Sequence, residues 1–362
     1  MLSESAFRRP QGVEKLLAAI REMDLPETRL MEVCGIHTMA IAKSGLRQVL
    51  PGNIRLLSGP GCPVCVTPAG VMDEILRLSE LPGVILTTYG DLMRVPGSDP
   101  EDSLQRRKAL GADVRWVYSP MDSLEIAAEH PERQVVFLGV GFETTAPGTA
   151  AAVLAAGERG LKNFSVWSML KTVEPALRAL MGTEGFNVQG FLCPGHVATI
   201  LGEEGFRFLP ASCRMPAVIS GFESGDILFA LCRLLMQIAD GEPRLENAYP
   251  RAVRPEGNRL AKAMMGRCFA PRRELWRGLG EIPASGLGLR EEWAAFDAEK
   301  KFGVTVGAEK PTACRCGEVI TGMREPPRCP LFGKRCTPED PVGPCMVSSE
   351  GACAAWYKYQ IP

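Results

Sequence analysis

The chain has 362 residues, too many for one ordinary core, so two or three domains are expected. Its 41 Lys and Arg against 42 Asp and Glu leave no basic excess to drive binding to nucleic acid or an anionic membrane. The opening run MLSESAFRRPQGVEKLL lacks the apolar region of a signal peptide, and no apolar stretch approaches the ~18–20 residues that span a bilayer, so a cytoplasmic location is expected. Thiols stay reduced there, and the 13 cysteines point to metal or redox chemistry rather than to disulfide staples.

Residues 28–128 alternate between short β-rich runs (TRLMEVC, NIRLLSG, GVILTTYG, ADVRWVYS) and helical patterns (HTMAIAKSGLRQVL, TPAGVMDEILRLSEL, EDSLQRRKALG, MDSLEIAAEH). That alternation predicts βαβ crossovers and a parallel sheet covered on both faces. The pattern restarts at about residue 133 with QVVFLGVGF, a helix capped by Thr with Pro in its first turn, then FSVWSML, GFLCPG and PAVISGF, and the long amphipathic helix GDILFALCRLLMQIADG. The expected fold is α/β: two similar parallel-sheet domains at 28–128 and 129–240, followed by a third unit at 241–362. Residues 242–310 read as helical and irregular. The helix at 11–23 is expected to pack on the third unit.

Ligands of open α/β sheets bind outside the carboxyl ends of the strands, and four unusual loops stand at such ends. Cys34-Gly35-Ile36-His37 puts a soft thiolate and an imidazole in one βα turn, where they can meet a common metal; a buried structural cysteine and a capping histidine is the plain alternative. Gly59-Pro60-Gly61-Cys62-Pro63-Val64-Cys65 is a CxxC between strand and helix. A helix N-terminus there stabilises a thiolate, which suits redox or metal work. Glu143, Thr144 and Thr145 gather a carboxylate and two hydroxyls at a helix start, which suits an anion or polar ligand, or simply a cap. Cys193-Pro194-Gly195-His196 places one of only three histidines in a strand-end loop; His130 reads as a helix C-terminal cap, and Asp91 and Tyr89 are weaker candidates for the same cleft.

Six cysteines fall between 314 and 353. Four of them read Cys314-x14-Cys329-x6-Cys336-x16-Cys353, with Cys316 and Cys345 as extra thiols. All-thiolate ligation suits structural zinc or a [4Fe–4S] cluster. The wide gaps favour a cluster held by several loops over the tight paired knuckles usual for zinc.

Taken together, CGIHT, GPGCPVC, GFETTAP, PGHVATILG and CPLFGKRCTPEDPVGPCMVSSEGACAAWYKY resemble, in order, the HypD family of [NiFe]-hydrogenase maturation proteins, from about residue 11 to the end. The resemblance implies two α/β domains and a [4Fe–4S] domain similar to ferredoxin-thioredoxin reductase. It implies partnership with the small chaperone HypC, on which complex an iron receives one CO and two cyanides before delivery to the hydrogenase large subunit. HypE, supplying cyanide, would be a second partner. Cys34 would then be the iron thiolate with His37 beside it, and Cys62 and Cys65 a redox dithiol. Cys314, Cys329, Cys336 and Cys353 would hold the cluster, and Glu143, Thr144 and His196 would support the diatomic ligands of Fe(CN)2CO. A different class of function, a cluster-dependent reductase of protein disulfides acting through Cys62 and Cys65, does not require Cys34 and His37.

Overall fold

The computed structural model of the chain describes residues 10–307 and 312–359. Residues 1–9, which begin the segment read above for a targeting signal, lie outside the described residues, as do 308–311 and 360–362. Each β-rich run becomes a strand: β1 (Thr28–Glu32), β2 (Ile54–Ser58), β3 (Val84–Thr88), β4 (Val114–Trp116), β5 (Gln134–Gly141), β6 (Phe164–Leu170), β7 (Gly190–Pro194) and β8 (Ala217–Ser220), joined by a short β9 (Leu245–Asn247). The helices that matter for the site are α1 (Pro10–Glu22), α2 (Gly35–Lys43), α3 (Ala69–Ser79), α4 (Ala146–Glu158), α5 (Val173–Met181), α6 (Gly195–Leu201), α7 (Ser224–Asp240), α8 (Cys316–Ile320) and α9 (Ala352–Tyr359).

Pairing does not follow the serial grouping at 28–128 and 129–240. The first sheet runs β2-β1-β7-β8-β9 and the second β4-β3-β5-β6. Strands β3 and β4 thus leave β1 and β2 and pair with β5 and β6, and the second sheet is inserted between β2 and β7 of the first. All these neighbours are parallel. The free edge of β1 takes β7 in the register Met31 to Phe191. Gly190 permits this because a Cβ there would press on Leu234 of α7.

Period-two alternation decides where the cores lie. Met31, Leu57, Phe191 and Ala217 of the first sheet, and Leu86, Val136 and Leu138 of the second, enter one shared central core. Their neighbours Leu30, Leu56, Leu192 and Val218 face outward to α7 and α1. Ile85, Val135, Phe137, Phe164 and Val166 face outward to α4. With both faces covered, the strands read as continuous apolar runs, as parallel sheets require.

Two further expectations need correction. Helix α1 lays Leu16 and Ile20 against Ile227 and Leu231 of α7 on the outer face of the first sheet, rather than on the cysteine-rich segment. The apolar face of α7 is wider than the sheet alone can cover, and α1 completes its burial. Within 242–310, the residues between Phe269 and Leu289 form an antiparallel hairpin, β10 (Phe269–Trp276) and β11 (Gly280–Leu289), where helical and irregular chain was expected. Its composition hid it, since Pro271, Arg272, Arg273 and the glycines of β11 break the apolar alternation. What holds it is tertiary. Thr172 N donates to Ser285 O (2.9 Å), Ser168 Oγ to Leu287 O (2.5 Å) and buried Lys171 Nζ to Leu275 O (2.9 Å). Its tip reaches the first sheet through Arg277, whose N and Nε donate to Val66 O (2.8 Å) and Thr67 O (3.0 Å). Among the described residues no helix is long and apolar enough to cross a membrane.

Candidate functional site

In an open parallel sheet the crevice opens where consecutive crossovers leave in opposite directions. In the first sheet that point lies between β1 and β7, so Cys34 and His196 emerge side by side. In the second it lies between β3 and β5, so the loops that begin at Tyr89 and Phe142 leave the sheet from neighbouring strands there.

Cys34 is buried, and its Sγ lies 3.7 Å from Nδ1 and 3.9 Å from Nε2 of His196. His37 turns away: its Nε2–H donates to Gly221 O at 2.8 Å, and Nδ1 is buried without a partner. Phe222 lies against both imidazoles, with centroids 4.7 Å from His37 and 5.3 Å from His196. Burial lowers both histidines to about 4, so both are neutral at pH 7. Burial pushes the Cys34 thiol well above its ordinary range. The His37 N–H at the start of α2 opposes that, while Glu350 and Glu32 add to it. Glu32 is the residue the sequence did not flag. Its carboxylate accepts from Cys34 N (3.3 Å) and Thr38 Oγ1 (2.5 Å), so it fixes the loop from beneath.

The CxxC loop is seated directly on this turn. Gly35 N donates to Gly61 O (3.2 Å), and a Cβ on Gly61 would overlap the backbone of Val33 and Cys34. No side chain other than hydrogen fits there. Cys62 and Cys65 are joined in a disulfide at the bottom of this loop. Against it lies the C-terminal segment: Ser348 Oγ is 3.4 Å from Cys62 Sγ, and Cys316 Sγ is 3.9 Å from Cys65 O.

All six C-terminal cysteines line one narrow pocket, together with Val319, Leu331, Phe332 and Met346. Cys316 is drawn well below its ordinary value by hydrogen bonds from the Cys314 and Cys345 thiols, with the Arg277 guanidinium adding to the effect. Cys314 and Cys345 are raised in turn, chiefly by that shared proton arrangement. Burial raises Cys336, which accepts from Val342 N at 3.4 Å. Among the described residues no three His, Cys, Asp or Glu side chains already stand in the spacing of a metal site. What the structure has is a sulfur-lined pocket, with more thiols than one cluster needs.

With this geometry in hand, the relatives are informative. The model of the HypD family, described as the hydrogenase formation hypA family, matches residues 11–360. This chain belongs to the HypD family. It is 47% identical over 339 residues to the hydrogenase maturation factor HypD of Rhizobium leguminosarum bv. viciae, covering 91% of this chain and 87% of that one. It is 44% identical over 364 residues to the hydrogenase maturation factor HypD of Escherichia coli (strain K12), covering 98% and 97%. The protein of the same name from Cupriavidus necator is 42% identical over 363 residues, covering 98% and 96%.

Other HypD-family motifs sit elsewhere. Glu143 is buried, and its Oε1 accepts from Val173 N (2.8 Å) at the start of α5, where the Thr172 side chain makes no cap. Its Oε2 is buried without a partner, and burial raises its pKa to about 7 against the pull of that N–H. Thr144 is half-buried in the same loop, and Thr145 Oγ1 donates to Phe142 O (3.1 Å) instead of capping α4. The contacts of Glu143 thus lie at the end of the second sheet, whereas Cys34, His196 and the CxxC share the end of the first. Asp91 joins the CxxC neighbourhood through Ser348 (3.3 Å) and Ser349 (3.1 Å). Tyr89 packs edge-on against Phe137. His130 is the C-terminal cap of its helix. Glu32, Ser348 and Arg277 were beyond reach of motif reading: none carries a spacing signal, and each acquires its place only through long-range contacts.

Proposed function

We propose that the chain is a hydrogenase maturation factor that carries an iron fragment on Cys34 while cyanide and CO are installed. The observation that carries this reading is contiguity. The Cys34 turn with His196 beside it, the CxxC seated on that turn through Gly61, and the six-cysteine pocket behind the CxxC form one continuous block.

The iron is cargo in this reading. A soft thiolate suits low-spin Fe(II) with strong-field ligands, and Cys34 supplies one, with a partner thiolate from a HypC-type chaperone completing the hold. His196 stands next to the sulfur as a hydrogen-bond donor to cyanide nitrogens. His37 would reach a metal only through Nδ1, because Nε2–H is committed to Gly221. The half-neutral Glu143 and Thr144 would supply donors across the cleft. HypE would deliver the cyanides, and the large subunit would receive the Fe(CN)2CO unit through HypC.

The sulfur pocket fits a resident [4Fe–4S] cluster in its donor chemistry, with Cys314, Cys329, Cys336 and Cys353 as the holding set and Cys316 and Cys345 left over. Bound there, such a cluster would supply one-electron redox chemistry. Cys62 and Cys65 would serve as the dithiol facing the iron site. A second reading, a reductase acting on a partner's disulfide, draws support from the contact of Cys316 with the Cys65 carbonyl.

The deciding experiment is infrared spectroscopy of the anaerobic protein co-produced with its small chaperone. Bands of metal-bound cyanide and CO that vanish in Cys34→Ala support the iron scaffold. An iron–sulfur protein without such bands, whose disulfide reductase activity survives Cys34→Ala, supports the second reading instead.

A further inference from the structure

The two sulfurs of the CxxC have unequal surroundings. Cys62 Sγ receives the backbone N–H of Cys65 at 3.2 Å and faces Ser348 Oγ at 3.4 Å. Cys65 Sγ has no corresponding hydroxyl among the described residues. Ser348 is almost fully buried, at 1% exposure, which is unusual for a serine on a short turn between cysteine ligand candidates. Its Oγ accepts from Glu350 N (3.2 Å), which leaves one hydroxyl proton and two possible takers: Asp91 Oδ2 at 3.3 Å and Cys62 Sγ. Asp91 does not depend on Ser348, because Ser349 Oγ also donates to it at 3.1 Å.

We propose that Ser348 is a positioning residue for the dithiol: its hydroxyl donates to Asp91 while the disulfide is closed and turns to Cys62 when the disulfide opens, making Cys62 the charge-bearing sulfur. The assignment rests on the reading of Cys62 and Cys65 as a working dithiol. The step balances with an external dithiol as reductant. One thiolate of the reductant attacks Cys65 Sγ, the Cys62–Cys65 bond breaks, and its electron pair leaves on Cys62 Sγ as a thiolate. That thiolate takes the Ser348 hydrogen bond and the Cys65 N–H. The reductant's second thiolate then attacks its own sulfur in the mixed disulfide, releasing Cys65 as a thiolate and closing the reductant's disulfide. Two electrons have passed to the protein, and each protein sulfur takes up a proton according to its pKa. A hydroxyl cannot follow a neutral disulfide sulfur as strongly as a thiolate, because charge-assisted hydrogen bonds are about twice as strong as neutral ones. The reduced form is therefore the one that gains.

The test is a redox titration of the full chain against dithiothreitol at pH 7, with the alkylation rate of Cys62 followed against pH by mass spectrometry of its peptide. Ser348→Ala is expected to lower the equilibrium constant for reduction about tenfold, which is a potential about 30 mV more negative. It is also expected to raise the alkylation pKa of Cys62 by about one pH unit, the size of one hydrogen bond to a charge. Asp91→Ala is expected to act in the opposite direction, since it frees the hydroxyl and removes a nearby negative charge, and its effect should shrink in the Ser348→Ala background. A Ser348→Ala protein that titrates with the wild type overturns the assignment while leaving the dithiol in place. Should Ser348→Ala fail to fold, an Asp91→Ala protein with an unchanged or more negative potential overturns it equally. A wild-type pair with no reversible couple at all removes both the assignment and the dithiol reading beneath it.

Discussion

Glu143 offers a prediction with a sign that runs against habit. Its carboxyl is buried, one oxygen caps the first N–H of α5 at 2.8 Å, and the other has no partner. Burial carries its pKa from 4.5 up to about 7. The folded chain therefore holds this proton more tightly than the unfolded chain does. Stability from this group is greatest below pH 4.5, falls as pH rises toward about 7, and is level above that. At about 1.4 kcal/mol per pH unit, the ionised carboxylate costs about 3 kcal/mol at pH 8. Glu143→Gln keeps an oxygen for Val173 N–H and cannot ionise. Relative to the wild type it should gain little at pH 5 and about 3 kcal/mol by pH 8. Glu32 and Glu350, also raised to about 7, titrate in both proteins and cancel in the difference. Glu143→Ala separates the cap from the charge: it leaves Val173 N–H buried and unpaired, at about 1–3 kcal/mol independent of pH. Denaturant unfolding followed through the buried Trp167 and Trp276 measures both variants where the cost is paid, with hydrogen exchange at Val173 as the local readout. A Glu143→Gln stability difference that stays flat from pH 5 to pH 8 refutes the reasoning, because it means the carboxyl is already ionised at no cost.

The other predictions concern the joints of the site. Gly61→Ala places a methyl inside the backbone of Val33 and Cys34 and must drive the CxxC loop off the Cys34 turn. The displaced loop is expected to lower iron loading with the fold retained, and unchanged loading measured by infrared band intensity would show the two loops to be independent. Glu274→Ala removes the 3.5 Å ion pair of Lys171, whose ammonium is buried over the Trp276 ring. Breaking a buried pair costs about 3–5 kcal/mol, so the hairpin should detach from β6 at lower denaturant, seen as an early loss of Trp276 fluorescence; a wild-type midpoint would argue against the pairing. In the sulfur pocket, Cys329→Ser should abolish the visible absorption of the anaerobically reconstituted protein and Cys316→Ser should retain it. The reverse result would exchange their roles.

The placement of each candidate site group at the end of a parallel strand follows from the fold class. Strand-end loops carry backbone N–H groups at the starts of α2, α5 and α6, and the chain concentrates its rare residues there: two of three histidines, the CxxC and the buried Glu143. The hairpin then acts as a strap, from Ser285 and Leu287 on the second sheet to Arg277 on the CxxC loop. It holds the CxxC loop and the sulfur-lined pocket in one frame.

The sequence alone marked the eight parallel strands and the candidate site residues. Short β-rich apolar runs marked β1 to β8, because a strand covered on both faces reads as continuous apolar residues over a short span. The motifs marked Cys34, Cys62, Cys65 and His196 as candidates, because ligands of open α/β sheets bind outside the carboxyl ends of the strands, where these residues stand. Which strands pair was not legible. Backbone hydrogen bonding is the same for every parallel neighbour, so β1 could not announce that its partner lies beyond an inserted sheet. The hairpin at 269–289 was hidden for the converse reason: its arginines and glycines satisfy contacts made by distant residues rather than a local period. The tertiary structure decided that His37 spends Nε2–H on Gly221, that Glu32 underlies Cys34, and that Ser348 faces Cys62. Each of these depends on two segments far apart in sequence arriving within hydrogen-bond reach, a fact that no single stretch of chain encodes.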